Sequence, residues 1–476
     1  MPSSASSVVV VANRLPVEET VEGTGEDARS TWSRSPGGLV TALAPLMQKG
    51  DGVWVGWAGK PGQDLEPFTA DGIDMHPVTL SKSDLERYYE GFSNATIWPL
   101  YHDVIVDPEF HRDWWNAYAE VNSRFAEATA EAAPQGAMVW VQDYQLQLVP
   151  RLLRQLRPDL RIGYFHHIPF PPVELFGQLP WRADVVSGLL GADLVGFQRS
   201  GDEANFLRAV RRFSEHTTRG STVTMQRRGL PDRYVRAKTF PIAIDSDAFG
   251  ELAASPAVEK RAVEIRQELG SPDVMLLGVD RLDYTKGIRH RIKAYGELLT
   301  EGKLRAPATT FVQIASPSRE DVEEYVSLRR EVEVTVGRIN GDFSALGRPA
   351  IHYLHHSYPA EEMAAMYRAA DVMLVTALRD GMNLVAKEYV AARADLDGVL
   401  VLSEFTGAAD ELTQALLVNP HDIEQVKRTI LTAIEMPRSE RRRRMRALRR
   451  KVMDNDVESW AEAFLSALAG HPVGDD

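Results

Sequence analysis

Several segments place charged or polar side chains directly after short apolar runs, where they could handle a phosphorylated ligand. Residues 278–287 read GVDRLDYTKG, an apolar run followed by a loop presenting Arg281 and Lys286 ahead of a helical stretch. A diphosphate suits such a corner, because arginine offers forked donors and lysine a compact point charge. Residues 376–388, TALRDGMNLVAKE, repeat the arrangement: a polar loop through Asp380, Gly381, Met382 and Asn383, then a helix start at Leu384 able to hold phosphate. Glu388, about one turn further on, can reach a ribose diol, since each carboxylate oxygen accepts a hydroxyl hydrogen bond. Capping of that helix by Asp380 is the plainer alternative. Near the N-terminus, Asn13-Arg14 ends the first apolar run and Gly37-Gly38 opens a helix. Paired glycines let backbone N–H groups approach an anion, although a tight turn uses the same residues. In WVQDYQ (140–145) and YFHHIPFPP (164–172), Asp143 and His167 follow apolar runs directly. The prolines at 169, 171 and 172 restrict where His167 can point, and a packed or capping histidine fits the same pattern.

Other chemistries find little support. Adjacent histidines at 166/167 and 355/356 face opposite ways on a strand, and no carboxylate cluster completes a metal site beside them. There is no Gly-x-Ser-x-Gly elbow, Walker A loop or Gly-x-Gly-x-x-Gly. The chain has no cysteine, which excludes disulfides and thiolate chemistry and fits a reducing compartment. A formal net charge of −13 argues against general attraction to nucleic acid or an anionic membrane. The arginine run 441–444, with Arg446, Arg449 and Arg450, reads as a solvated helix face. No apolar stretch approaches eighteen residues and the first seven residues carry no basic side chain, so the expected compartment is the cytoplasm.

The elements that must position these residues follow from the apolar pattern. Short β-branched runs at 8–12, 138–142, 161–165, 194–197, 275–279, 310–315, 372–376 and 398–402 alternate with helical stretches. That alternation predicts an α/β chain with parallel strands buried on both faces. At 476 residues the chain is too long for one core, and the strand spacing breaks near 240–245. The expected domains are residues 1–245 and 246–450, two similarly wound α/β halves. Residues 451–476 form a C-terminal helix packing back on the first domain, with a short tail. Ligands bind such sheets at the carboxyl ends of the strands, which predicts a cleft between the two lobes.

The motifs VVVVANRLPV, PGGL, VWVGWAG, YYEGFSNATIWPLYH, VWVQDYQLQLVP, FHHIPFPPVELF, LLGADLVGFQ, VDRLDYTKGI, QIASPSREDV, GRINGDF and LRDGMNLVAKEYVAAR together resemble the trehalose-6-phosphate synthase family of retaining glycosyltransferases. The resemblance runs from Val8 to about Leu465 and implies the GT-B fold, two Rossmann-like parallel-sheet domains facing across a cleft, with residues 1–245 on the acceptor side and 246–450 on the donor side. It implies a nucleoside-diphosphate glucose donor: UDP- or GDP-glucose, with ADP-glucose not excluded. The donor's diphosphate would lie against Arg281, Lys286 and the backbone at Asn383 and Leu384, with Glu388 on the ribose and Gly37 and Gly38 beneath the leaving phosphate. His167 and Asp380, with Gly381 and Met382 alongside, would hold the transferred glucose. The acceptor, glucose 6-phosphate, would be bound by Arg14, Trp54, Tyr89, Trp98, Asp143 and Arg319. Arg281, Lys286, Asp143, His167 and Asp380 form the implied catalytic set, and no metal or other cofactor is required. Partners are small molecules, with neither nucleic acid nor membrane, and a homo-oligomer is compatible with the sequence. A pseudo-glycosyltransferase coupling cyclitols would be expected to lose the glucose 6-phosphate residues, and a silent scaffold the donor residues. A glycoside hydrolase would need two carboxylates flanking the bond.

Overall fold

The computed structural model describes residues 7–22, 29–35, 40, 43–44, 47–48, 52–226, 229, 231–320 and 322–470. The chain divides into two compact units, Met1–Ile242 with Glu458–Asp476, and Ala243–Val457. Among the described residues no helix is long and apolar enough to cross a membrane.

The first unit is built on β1 (Val8–Arg14), β4 (Val53–Trp57), β6 (Ile73–Pro77), β7 (Met138–Gln142), β8 (Arg161–His166), β9 (Leu194–Phe197) and β12 (Arg233–Thr239), all parallel. Antiparallel β5 (Phe68–Ala70) closes one edge, and β10 (Thr217–Arg219) with β11 (Thr222–Met225) the other. The order is β10-β11-β12-β9-β8-β7-β1-β4-β6-β5, while β2 (Val17–Glu22) and β3 (Arg29–Arg34) form a separate hairpin. Val9, Val10 and Val11 of β1 are wholly buried, as expected for a central strand covered on both faces.

Helix Val457–Ala469 covers one face of this sheet. Phe464 stacks on Trp140 with ring centroids 4.4 Å apart, and Trp460 donates its indole N–H to the Phe240 carbonyl at 3.1 Å. Gly163 and Gly196 make room for Phe464: a Cβ at either position would lie within 2.8 Å of the ring.

The second unit has a wholly parallel sheet: β13 (Val274–Arg281), β14 (Thr309–Ser316), β15 (Ile351–Leu354), β16 (Val372–Val375), β17 (Val399–Ser403) and β18 (Leu416–Val418), ordered β15-β14-β13-β16-β17-β18. Its first strand is central, and successive strands run outward from it in both directions. The order therefore reverses between β13 and β16, which makes the crevice outside their carboxyl ends the expected ligand position. The arginine-rich segment is helix Arg438–Met453, with Met445, Leu448 and Val452 buried beneath it. Its outer arginines are partly neutralised, Arg443 and Arg444 by Glu440 and Arg438 and Arg441 by Asp397.

Candidate active site

In the second unit, β13 delivers Arg281 at its carboxyl end, and Asp283 then caps a single 3₁₀ turn, Tyr284–Lys286. One oxygen of Asp283 accepts from the Thr285 N–H at 2.9 Å and its hydroxyl at 2.8 Å; the other accepts from the Tyr325 hydroxyl at 3.1 Å and Arg319 at 3.4 Å. Burial alone would raise this carboxyl's pKa. The positive charge of Arg319, then of Arg281 and Lys286, outweighs burial and holds it down to about 2. The same fields place three cations around one buried anion.

The loop after β16 is locked to this turn. Gly287 adopts φ +62°, and a Cβ there would lie 1.9 Å from the Thr376 carbonyl oxygen, so only glycine allows the two loops to touch. Leu378 N–H donates to the Thr285 carbonyl at 2.7 Å, and Lys286 Nζ donates to Asp380 at 2.7 Å. Asp380 also accepts from Asn383 at 3.1 Å. The capping residue of helix Leu384–Ala392 is Asn383, at φ +79°, whose side chain accepts from Ala386 N–H; the carboxylate of Asp380 is turned to Lys286 instead. Beneath these loops, fully buried Arg291 ties β13, β14 and β16 together through Asp280, Gln313 and the Leu374 carbonyl. Glu388, partly covered, accepts from Tyr367 at 2.9 Å, and burial raises its pKa against that hydrogen bond.

The first unit repeats the pattern at the ends of β1, β7 and β8. Arg14 ends β1 with its guanidinium 5.0 Å from the Trp57 ring centroid. Gly59, at φ +103°, leaves the space beside that guanidinium: a Cβ there would be 2.6 Å from Arg14 Nη2. Asp143 follows β7 at φ +72°, accepting from the N–H groups of Tyr144 at 2.9 Å and His167 at 3.2 Å. His167 follows β8 with Nε2 2.8 Å from the Gln142 side-chain oxygen, and burial lowers its pKa to about 3, so it is neutral at physiological pH. Residues Leu85–Ile97 form a π-helix, rare and concentrated at functional positions. It joins two strand ends: Tyr88 donates to Asn13 at 2.8 Å, and Asn94 accepts from Tyr144 at 2.9 Å. Half-buried Tyr89 lies on it, and Trp98 follows it, its ring 5.6 Å from that of Tyr144.

One expected residue is corrected. Trp54 has no exposed surface and donates its indole N–H to the Arg14 carbonyl at 3.0 Å, so it is a core support of β1 and has no face to offer an acceptor. The tryptophan against the Arg14 guanidinium is Trp57. Gly37 and Gly38 lie outside the described residues. Asp283, Tyr325, Trp57, Gly59 and Tyr88 also line these strand ends without a sequence signal of their own, and Asp283 lies within the 278–287 loop itself. The one group of three carboxylates close enough to share a cation, Glu297, Glu301 and Glu424 among the described residues, already surrounds the ammonium of Lys427.

The family model Glycosyltransferase family 20 matches residues 6–470. The chain belongs to glycosyltransferase family 20. This family 20 chain is 58% identical to the trehalose-6-phosphate synthase of Mycolicibacterium smegmatis over 473 residues, 98% of this chain and 93% of that one. Among solved structures, an α,α-trehalose-phosphate synthase (UDP-forming) from Burkholderia xenovorans in complex with glucose-6-phosphate aligns with TM-score 0.88 at 33% identity, covering 98% of this chain and all of that one. An E. coli chain bound with UDP-2-fluoro glucose aligns with TM-score 0.87 at 35% identity, covering 97% and 99%. The two Rossmann-like sheets of this family 20 glycosyltransferase are accordingly those of the GT-B fold.

Proposed function

We propose that the chain transfers glucose from a nucleoside-diphosphate glucose, UDP- or GDP-glucose, to glucose 6-phosphate with retention of configuration, releasing trehalose 6-phosphate and the nucleoside diphosphate. The observation that carries this reading is the pair of cations at the β13/β16 switch point: Arg281 ends β13, and Lys286 is bound to Asp380 just ahead of helix Leu384–Ala392. Two cations and a helix start suit a diphosphate in charge and in donor geometry. The relatives described with UDP-2-fluoro glucose and with glucose-6-phosphate support the classes of donor and acceptor.

In this reading Glu388 accepts the ribose hydroxyls, while Asp380 and neutral His167 hold hydroxyls of the transferred glucose. A neutral imidazole adds no positive charge beside an oxocarbenium-like centre. Arg14, Tyr89, Trp98 and Arg319 serve the phosphate of the acceptor, and Asp143 its sugar hydroxyls. The bond from the anomeric carbon to the diphosphate oxygen breaks, and the bond to the acceptor oxygen forms on the same face. The acceptor's hydroxyl proton passes to the departing diphosphate. Arg281 and Lys286 stabilise the charge that develops on the leaving group, the kind of preorganised field that dominates many enzymatic accelerations. Because two side-chain cations supply that charge, the reaction calls for no metal ion.

Incubation of the protein with glucose 6-phosphate and UDP-, GDP- or ADP-glucose in turn, followed by NMR of the product, tests the proposal. An α,α-linked disaccharide phosphate with stoichiometric nucleoside diphosphate is expected from UDP- or GDP-glucose. An inverted linkage, or no turnover with any donor, would overturn it.

A further inference from the structure

Asp283 stands out among buried charges because its two oxygens do different jobs. Oδ1 accepts both donors of Thr285 and thereby shapes the turn that presents Lys286. Oδ2 faces away from that turn, accepting from Tyr325 at 3.1 Å and Arg319 Nη1 at 3.4 Å. The Tyr325 hydroxyl is itself hydrogen-bonded to Arg319, and the guanidinium carbon lies 5.4 Å from the Tyr325 ring centroid. Asp283 has no exposed side-chain surface, Arg319 only 6% and Tyr325 2%. Arg319 stands on a backbone at φ +49°, a conformation unfavourable for a residue with a Cβ unless the surroundings impose it. A long, entropically costly side chain is thus held from its backbone to its tip.

We propose that Asp283 is a positioning residue whose Oδ2, with the Tyr325 hydroxyl, pre-orients Arg319 for the phosphate of the acceptor, while Oδ1 independently shapes the donor turn. The inference rests on the proposed acceptor role of Arg319 and adds that one carboxylate serves both substrates through separate oxygens. The physical advantage lies in preorganisation: a guanidinium already fixed loses less freedom when it meets an anion. The buried anion also offsets the mutual repulsion of Arg281, Lys286 and Arg319 before any phosphate arrives.

Asp283→Asn separates the two oxygens. The amide oxygen can still accept from Thr285, whereas an NH₂ group would replace Oδ2 and oppose two donors. With UDP- or GDP-glucose as donor, whichever is turned over, Asp283→Asn is expected to raise KM for glucose 6-phosphate roughly 10-fold or more, the scale of one lost charge-assisted hydrogen bond. The donor KM should move less than about threefold, because the Thr285 bonds are kept. Arg319→Ala should also raise the acceptor KM, and the double variant Asp283→Asn/Arg319→Ala should be no worse than Arg319→Ala alone. If Asp283→Asn yields too little folded protein, Tyr325→Phe, which deletes only the hydroxyl, should show a smaller rise in acceptor KM that likewise disappears in the Arg319→Ala background. Additive effects of Asp283→Asn and Arg319→Ala, or a loss confined to donor KM, would overturn the coupling while leaving the acceptor role of Arg319 standing. An unchanged acceptor KM in Arg319→Ala would remove that role and the coupling together.

Discussion

Arg281 and Lys286 are both cations on one loop, yet they are held differently: Lys286 is nearly covered and bound to Asp380, whereas Arg281 is an exposed strand end. If each stabilises charge on the departing diphosphate, Arg281→Ala and Lys286→Ala should each lower kcat by roughly 10²–10³-fold in steady-state assays. Near wild-type turnover in both would contradict the assignment. Histidines 166 and 167 give a separate, pH-linked prediction. Burial lowers both pKa values from 6.5 to about 3, so the folded chain binds fewer protons than the unfolded one between those values. Their contribution to stability is complete above pH 6.5 and is lost as pH falls toward 3, at about 1.4 kcal/mol per pH unit for each group. Calorimetric melting between pH 7.5 and 5 should therefore show Tm falling with acidification, less steeply in His166→Gln; an equal slope would contradict this. At this scale the sequence was legible where a polar or charged residue follows a buried strand: Arg281, Asp143 and His167 stand at the carboxyl ends of β13, β7 and β8, as expected. It was not legible where two candidates compete. Trp54 and Trp57, three apart on one strand, face opposite ways, and nothing local says which ring meets Arg14. The hydrogen bond that sets Asp283 apart was hidden, because its partner Tyr325 is 42 residues away in sequence.

Between elements, the crucial contact is that of the two loops after β13 and β16. Gly287→Ala would drive a methyl group onto the Thr376 carbonyl at a positive φ. The expected result is a loss of about 1 to 3 kcal/mol in chemical denaturation, with weaker binding of nucleoside diphosphate; unchanged stability would mean that the loops are not locked as described. Phe464→Ala, which empties the space between Trp140 and the two sheet glycines, should cost about 3–5 kcal/mol in the same measurement. A loss under about 1 kcal/mol would show that the helix is dispensable to that sheet. Continuous β-branched runs revealed strands buried on both faces, and β7 and β9 begin and end at the expected residues. Two kinds of strand were missed: wholly buried β4, whose five residues mix valine with tryptophan and glycine, and strands with one exposed face. In β12 only Val235 and Ala237 are buried, and the polar residues around them resemble loop sequence. The π-helix Leu85–Ile97 was also illegible, since its widened turn is set by tertiary packing such as Gly91 against the Trp114 ring.

Across the whole molecule the same topological device occurs twice. In each unit the first strand of the parallel sheet is central, β1 between β4 and β7 and β13 between β14 and β16, so the strand order reverses beside it. The candidate residues at 14, 143, 281 and 380 follow the strands that flank those reversals. Apolar runs specify that strands exist but not their order, which comes from right-handed crossovers and from burying helices on both faces. The resemblance of long motifs supplied what periodicity could not. The most direct test of the central claim, that the β13/β16 switch point holds the donor's diphosphate, is calorimetric titration of UDP and GDP into the wild-type chain and into Arg281→Ala and Lys286→Ala. The account predicts that at least one nucleotide binds the wild type and that each substitution weakens it by roughly 10-fold or more. Equal affinity in all three proteins would contradict it.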